Sequence, residues 1–184
     1  MKEIKRKPEE KKVTAPRVAK IAASGNGGKI IKLAGKTATA KLNAGVKNSA
    51  ILVEIKSPEW SLTPVEKMSI AKNGVSKQSL VNLKDRANLD YDELATILST
   101  NRSTLINKKG SDNFNVPLSE KILSVADIYS YGYAVFEDEE KFNSWMQRKN
   151  QALGGESPMD YLGNQFGREE VRNLIGRIDY GVYS

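Results

Sequence analysis

The sequence contains no cysteine and no histidine, and these two absences remove most of the side chains on which enzymes and metal sites depend. Without them the chain has no cysteine nucleophile, no histidine general base and none of the usual zinc ligands. The lack of cysteine also excludes a disulfide framework, which is consistent with a reducing compartment. Most enzymatic functions therefore lack the side chains that they need, and we expect no metal site and no small-molecule cofactor.

Long apolar runs are missing as well. No stretch of about eighteen apolar residues exists, which is the length that a membrane-spanning helix needs. The charged N-terminal residues are not followed by the apolar segment of a signal peptide. These observations predict no membrane segment and a cytoplasmic protein.

Positive charge is concentrated at one end of the chain. Residues 1–56 hold 14 Lys+Arg and 4 Asp+Glu, whereas residues 57–184 hold 15 and 18, within a total formal charge of +7. Because residues 1–56 contain few large apolar side chains, we expect a mostly disordered basic arm. The arm either adds phosphate contacts to a DNA complex or is a solvated tail. Its two short apolar runs, 29–33 and 50–55, either pair as strands or dock on the folded domain.

A short helix, a turn and a second helix are predicted between residues 90 and 110. Asp90 caps the first helix, Ser99 lies in a turn that usually favours glycine, and the second helix covers residues 101–109. This is the spacing of a helix-turn-helix, in which Leu98 and Leu105 fill the corner. The predicted DNA-binding residues are Asn101 as the cap, Arg102, Ser103 and Asn107 towards base edges, and Lys108 and Lys109 towards phosphates. The alternative is a helix pair that serves only dimerisation or packing.

Capping residues and apolar periodicity predict further helices on both sides of this motif, and hence an all-α fold. One helix begins at Thr63-Pro64 and ends at Gly74, and a second begins at Ser76. After the motif, a long amphipathic helix extends from Leu118 to about Tyr133, and the acidic run 137–140 opens another helix.

Two more helices are predicted near the C-terminus. Gly154-Gly155 ends a helical pattern because glycine tolerates positive φ, and Ser157-Pro158 starts a new helix. We expect one face of that helix to carry Met159, Leu162 and Phe166, with Gly167 as its stop. A last short helix then contains Val171, Leu174, Ile175 and Ile178.

The C-terminal residues also resemble a known family. In order and spacing, the shared residues are Trp145, Asn150, Leu153, Gly154, Gly155, Pro158, Leu162, Gly167, Val171, Leu174, Arg177, Ile178, Asp179, Tyr180, Gly181, Val182 and Ser184. This series resembles the toxin-binding domain of the Xre/MbcA/ParS antitoxins, the partners of RES-domain toxins. From about Leu62 onward the chain also resembles the Xre-like helix-turn-helix of these antitoxins, with their Arg-Thr-Leu run seen at Arg102-Ser103-Thr104-Leu105. The alternative is that the C-terminal residues are only caps and core positions of a small helical bundle.

The resemblance implies three regions: a basic flexible arm (1–56), an Xre-like helix-turn-helix region (57–115), and a small helical dimerisation and toxin-binding domain (116–184). It also implies an antitoxin that inhibits a RES-domain toxin, an NAD-consuming protein with an ADP-ribosyltransferase-like fold. The antitoxin would be an inhibitor and not an enzyme, and it would repress its own operon by binding operator DNA as a homodimer. The alternative function is a helix-turn-helix transcription regulator whose C-terminal domain binds another protein or only mediates oligomerisation.

The toxin-binding residues follow from the same resemblance. They are Trp145, Asn150, Leu153, Gly154, Gly155, Arg177, Asp179, Tyr180, Gly181, Val182, Tyr183 and Ser184. Within this set, we expect Arg177, Tyr180, Gly181, Tyr183 and Ser184 to lie at or near the toxin's active-site cleft, because Gly181 lets the backbone approach closely and the tyrosines combine apolar area with a hydroxyl. The alternative is that Tyr180 and Val182 pack the last helix onto its own domain.

Overall fold

Seven α-helices form the part of the chain between residues 49 and 182, which the computed structural model describes together with residues 32–33 and 36–37. They are α1 (Pro64–Asn73), α2 (Lys77–Ala87), α3 (Tyr91–Ile97), α4 (Arg102–Ile106), α5 (Val116–Phe136), α6 (Glu139–Gln147) and α7 (Gln165–Asp179). The short 3-10 helices Glu59–Ser61, Gln151–Leu153 and Pro158–Gly163 lie between them. The predicted all-α fold is confirmed for this part, and none of its helices is long and apolar enough to cross a membrane.

The chain divides into an N-terminal unit, residues 1–43, and a helical unit, residues 44–184. The described residues of the N-terminal unit are two short antiparallel strands, β1 (Lys32–Leu33) and β2 (Lys36–Thr37), with Lys32 opposite Thr37. Of the apolar run 29–33, residues 29–31 lie outside the described residues, and so does most of the predicted arm.

Local capping starts the helices where the sequence predicts. The Thr63 hydroxyl accepts a hydrogen bond from Glu66 N, and the Glu66 side chain accepts one from Thr63 N, which together form a capping box. Ser76 caps α2, and Asp90 caps α3 with a second capping box. Gly74, at a φ of 83°, ends α1 as predicted.

The centre of the core is α5, which packs against α1, α6 and α7. Its predicted apolar positions are buried, and Tyr129 and Tyr133 meet the ring of Phe142 from α6 edge to face. Gly132 leaves the space that this ring needs, because a Cβ atom there would lie 2.1 Å from Phe142 Cζ. The aromatic contacts therefore fix α6 on α5.

The second apolar run of the predicted arm docks on the helical domain and forms no strand. Ile51 and Leu52 are fully buried, and their backbone N–H groups both donate to Glu59 Oε1 at 2.7 Å. Burial raises the pKa of the Glu59 carboxyl, although these backbone donors oppose that shift. One buried carboxylate oxygen therefore holds the start of the domain against its core.

Helix α4, the second helix of the predicted helix-turn-helix, is shorter than the predicted span of residues 101–109. It comprises five residues and ends at Ile106, with Asn107 as its C-cap. Asn101 occupies the N-cap position, but its side chain makes no capping hydrogen bond. The helix stops early because the chain after it turns back onto α2, where Gly110 O accepts a hydrogen bond from Gln78 N at 3.1 Å.

The prediction that Gly167 ends a helix was wrong. Pro158–Gly163 is a separate 3-10 helix, and α7 begins at Gln165, where Asn164 Oδ1 accepts a hydrogen bond from Gly167 N at 2.9 Å. Gly167 is buried in the first turn of α7, where a Cβ atom would lie 1.9 Å from Tyr161 O. The lack of a side chain at Gly167 lets the first turn of α7 approach the backbone at Tyr161 closely. Phe166, which was predicted to share the apolar face, is 81% exposed.

Candidate functional site

The helix-turn-helix is formed by α3, a tight turn and α4. Leu98 and Leu105 are fully buried in its corner, as predicted. Ser99 adopts a φ of 49°, which is the left-handed region that usually favours glycine. Its hydroxyl donates to Gly163 O at 3.0 Å, so the turn is attached to the 3-10 helix Pro158–Gly163. Ser99 is therefore in a backbone conformation that is strained for a non-glycine residue, but its hydroxyl makes a hydrogen bond that glycine could not make.

The predicted DNA-binding side chains lie on the outer surface of this motif. Asn101, Arg102, Ser103, Asn107 and Lys109 are exposed, and Lys108 is half-buried with its ammonium 5.9 Å from the Phe114 ring centroid. The Arg102 guanidinium lies 3.2 Å from Asp92, and both side chains are mostly exposed. Such an ion pair is weak in water and leaves Arg102 available to another acceptor.

Two lysines that were not predicted as functional residues lie outside the motif and donate hydrogen bonds to its backbone carbonyls. Lys121 of α5 donates to Leu98 O, the carbonyl at the C-cap of α3, at 3.0 Å. Lys77 of α2 donates to Leu105 O in α4 at 2.6 Å. A cation at the carboxyl end of a helix complements the exposed carbonyls and the helix dipole. Neither contact has a local signal in the sequence, since each partner is at least 23 residues away.

Four of the predicted toxin-binding residues, from Asn150 to Gly155, form a tight loop between α6 and the 3-10 helix Pro158–Gly163. Asn150 Oδ1 accepts a hydrogen bond from Ala152 N at 3.0 Å, and Asn150 N donates to Glu156 O at 2.9 Å. Gly154 and Gly155 adopt φ values of 68° and 89°. Leu153 is buried, and Asn150 and Gly155 are half-buried. Their contacts shape the loop, and within it Gly154 is exposed.

Trp145 packs beside this loop, on the aromatic cluster of the core. Its ring stacks on Phe142 with centroids 5.6 Å apart and lies 5.4 Å from Phe136. The residue is half-buried, so part of it stays accessible to a partner.

The carboxyl end of α7 carries the second group of predicted toxin-binding residues, and here apolar side chains face solvent. Tyr180 is 83% exposed and Val182 is 60% exposed, which contradicts the alternative that they pack against their own domain. Gly181 adopts a φ of 68°, while Val182 N donates to Arg177 O at 2.8 Å and Gly181 N donates to Ile178 O at 3.0 Å. This is a Schellman motif, in which a left-handed glycine ends a helix. Tyr183 and Ser184 lie outside the described residues.

The other two predicted residues at this end have partners within the domain. Arg177 Nη2 lies 3.1 Å from Glu170 Oε1, and the Tyr131 hydroxyl donates to Asp179 Oδ2 at 3.1 Å. Burial and this hydrogen bond raise the pKa of Tyr131. The end of α7 is therefore attached to α5, while Tyr180 projects from it.

A buried carboxylate, also absent from the sequence-based candidates, joins α7 to α1 and α5. Asp127 of α5 is almost fully buried and pairs with Lys67 of α1 at 2.6 Å and with Arg172 of α7. The Arg172 guanidinium also lies 5.1 Å from the Tyr131 ring centroid. Two cations compensate the buried charge, so α1, α5 and α7 are held together at one point.

Comparison with known proteins bears on both parts of the helical unit. The Antitoxin Xre-like helix-turn-helix domain matches residues 67–127, and the Antitoxin Xre/MbcA/ParS C-terminal toxin-binding domain matches residues 132–181. The chain carries both domains of the Xre/MbcA/ParS antitoxins. Helix α5 belongs to both matched domains, so the helix-turn-helix and the toxin-binding domain share their central helix. The predicted extents of the two regions, 57–115 for the helix-turn-helix and 116–184 for the toxin-binding domain, stay a prediction.

Individual relatives of the antitoxin are distant. The Prs ADP-ribosylating antitoxin of Sphingobium sp. is 24% identical over 136 residues, which cover 68% of this chain and 85% of that protein. Antitoxin Xre of Photorhabdus laumondii subsp. laumondii is 32% identical over 76 residues, 41% of this chain and 51% of that one. A chain in the crystal structure of the M. tuberculosis MbcT-MbcA toxin-antitoxin complex aligns with a TM-score of 0.45 at 18% identity, covering 59% of this chain and 96% of that chain.

Proposed function

We propose that this antitoxin binds and inhibits a RES-domain toxin through the carboxyl end of α7, and that it represses its own operon by binding operator DNA as a dimer. The observation that carries the first half is the exposure of Tyr180 and Val182 at the end of the toxin-binding domain. Large apolar side chains that project from a folded domain favour burial in the pocket of a partner, and tyrosine is a frequent anchor of protein interfaces.

The geometry at this end suits insertion into a cleft. The Schellman motif at Gly181 fixes the direction in which the chain leaves α7, so little backbone entropy is lost on binding. Tyr180 offers a ring and a hydroxyl, and Arg177 is an exposed cation close to it. A site that binds NAD accommodates a flat ring and polar groups, so this end of the antitoxin would compete with the toxin's substrate.

Co-expression with the neighbouring gene product tests the toxin half. We expect an adjacent reading frame to encode a RES domain, its expression alone to stop growth and lower cellular NAD, and the antitoxin to restore both. If no RES domain is encoded nearby and the purified antitoxin binds none, the alternative of a transcription regulator with another protein partner is favoured.

The DNA half is supported by the exposed side chains of α4 and by the match to the helix-turn-helix domain. We expect Arg102→Ala to relax specificity at one base pair by about 1 to 3 kcal/mol, because an arginine is the usual bidentate partner of guanine. Lys109→Ala is the matched control, since loss of a phosphate contact weakens binding to all sequences and reduces the salt dependence. The measurement is operator and random-sequence affinity at several salt concentrations. Unchanged operator footprints for Arg102→Ala and Asn107→Ala would show that α4 does not read the bases.

Dimerisation is the third element of the proposal, because one helix-turn-helix reads only half of a two-fold operator. We place the seam on apolar helix surface outside the motif, where α1 exposes Val65 and Met68. We expect light scattering to show a dimer at micromolar concentration without toxin, and Met68→Glu to shift it towards monomer. A wild-type monomer, with and without DNA, would contradict this prediction.

A further inference from the structure

Lys77 is an unusual residue for a helical bundle, because its side chain is buried without an acidic partner. The residue is 8% exposed, although lysine is almost never fully buried unless it is paired. Among the residues that the structure describes, no carboxylate lies within 4.0 Å of its ammonium group. Lys77 is also the first residue of α2, where the helix dipole disfavours a positive charge. Stability of α2 therefore does not account for a lysine here.

The contacts of the ammonium group explain its position. Lys77 Nζ donates to Leu105 O at 2.6 Å and to the Tyr91 hydroxyl at 2.8 Å, and it lies 4.3 Å from the Tyr91 ring centroid. Tyr91 is the first residue of α3, and Leu105 lies in the last turn of α4. One cation thus contacts both helices of the helix-turn-helix.

This contact matters because α4 cannot hold its own conformation. A helix of five residues is far below the length at which an isolated helix is stable, and its last carbonyls have no partner within the helix. The backbone of α2 adds to the contact, since Lys77 N donates to Asp112 O and Gln78 N to Gly110 O, each at 3.1 Å. The carboxyl end of α4 and the loop after it are therefore held by the first turn of α2.

We propose that Lys77 is a positioning residue for DNA recognition: it fixes the angle of α4 against α3 from the inside, and it contacts no DNA itself. This inference rests on the proposed function of α4 as the helix that reads the operator. Since base contacts depend on the angle at which a recognition helix enters the groove, loss of the Lys77 contacts removes discrimination between sequences. Phosphate contacts from the exposed lysines tolerate a tilted helix better, so affinity for random DNA is preserved.

The test replaces Lys77 by methionine, which keeps the length of the stem and removes the donors. The matched control is Lys84→Met on the same helix, because the Lys84 ammonium lies 5.7 Å from the same Tyr91 ring but pairs with Asp85 and not with α4. Two quantities are measured: hydrogen exchange of the amides of residues 103–107 and 122–133 in the free protein, and the ratio of operator to random-sequence affinity. Lys77→Gln, which removes the charge but keeps an NH₂ donor group, replaces the methionine variant if the latter does not fold.

For Lys77→Met we expect roughly tenfold faster exchange in residues 103–107, unchanged exchange in residues 122–133, and a roughly tenfold lower affinity ratio. Lys84→Met should change neither quantity. Unchanged exchange and an unchanged ratio in Lys77→Met would overturn the proposal, and so would equally faster exchange in both segments, because Lys77 would then only stabilise the fold. If exchange rises only in residues 103–107 and the wild-type protein shows no preference for operator, Lys77 still positions α4, and DNA binding is the part that fails.

Discussion

Tyr180→Ala is expected to abolish protection from the toxin in growth assays and to weaken toxin binding by at least about 2 kcal/mol, roughly thirtyfold in Kd. The reason is that Tyr180 is almost completely exposed in the free antitoxin, so its ring has no other packing to lose and its apolar area becomes useful only against a partner. Deletion of residues 181–184 should have the same effect on protection. Growth rescue and titration calorimetry with purified toxin measure the two results.

Phe166→Ala is the matched control for this prediction. Phe166 lies at the other end of α7 and is 81% exposed against 83% for Tyr180, so the two substitutions remove aromatic rings of equal exposure from one helix. We expect Phe166→Ala to keep full protection. Circular dichroism and thermal melting establish that all variants stay folded. If Tyr180→Ala and the variant truncated at residue 180 both protect fully, the inhibitory surface lies elsewhere, around Trp145 and the loop at Gly154-Gly155.

Gly167→Ala is expected to destabilise the helical unit by about 3 kcal/mol, near the upper end of what overpacking costs. A Cβ atom at this position would lie 1.9 Å from Tyr161 O, and a backbone carbonyl cannot move aside as a flexible side chain can. The start of α7 must then move away from the 3-10 helix Pro158–Gly163. Urea unfolding at equilibrium measures the loss.

Gly176→Ala, on the same helix, is the control for Gly167→Ala. Its added Cβ atom would lie 3.7 Å from the Tyr131 hydroxyl, which is an ordinary contact. Because alanine is the better helix former, we expect this substitution to stabilise the protein by about 0.5 to 1 kcal/mol. If the two substitutions have similar effects on unfolding, close approach is not the reason for a glycine at position 167.

The boundaries of most helices could be predicted because their signals are local. Thr63 with Glu66, and Asp90 with Glu93, lie three residues apart, and both pairs form capping boxes in the structure. The apolar spacing of α5 likewise identifies buried positions from Leu118 to Tyr133. Such features depend on one turn of helix, and tertiary contacts only reinforce them.

The failures concern residues whose environment is set by distant parts of the chain. Gly167 was interpreted as a helix stop because a glycine ends many helices, but its neighbour in space is the carbonyl of Tyr161. The length of α4 depends on the hydrogen bond between Gln78 N and Gly110 O, and the docking of Ile51 depends on Glu59. At the proposed toxin site, the candidate residues came from the family resemblance. Which of them are accessible is seen only in the structure, where Leu153 is buried and Tyr180 is exposed.

Hydrogen exchange of the antitoxin with and without its purified toxin tests the central claim most directly. The end of α7 should bind the toxin while α4 stays free to bind DNA. We therefore expect slower exchange on toxin binding in residues 176–182, where Gly181 N and Val182 N form the terminal turn, and no change in residues 103–107. Protection confined to α4, or toxin binding that leaves residues 176–182 unchanged, would contradict the account.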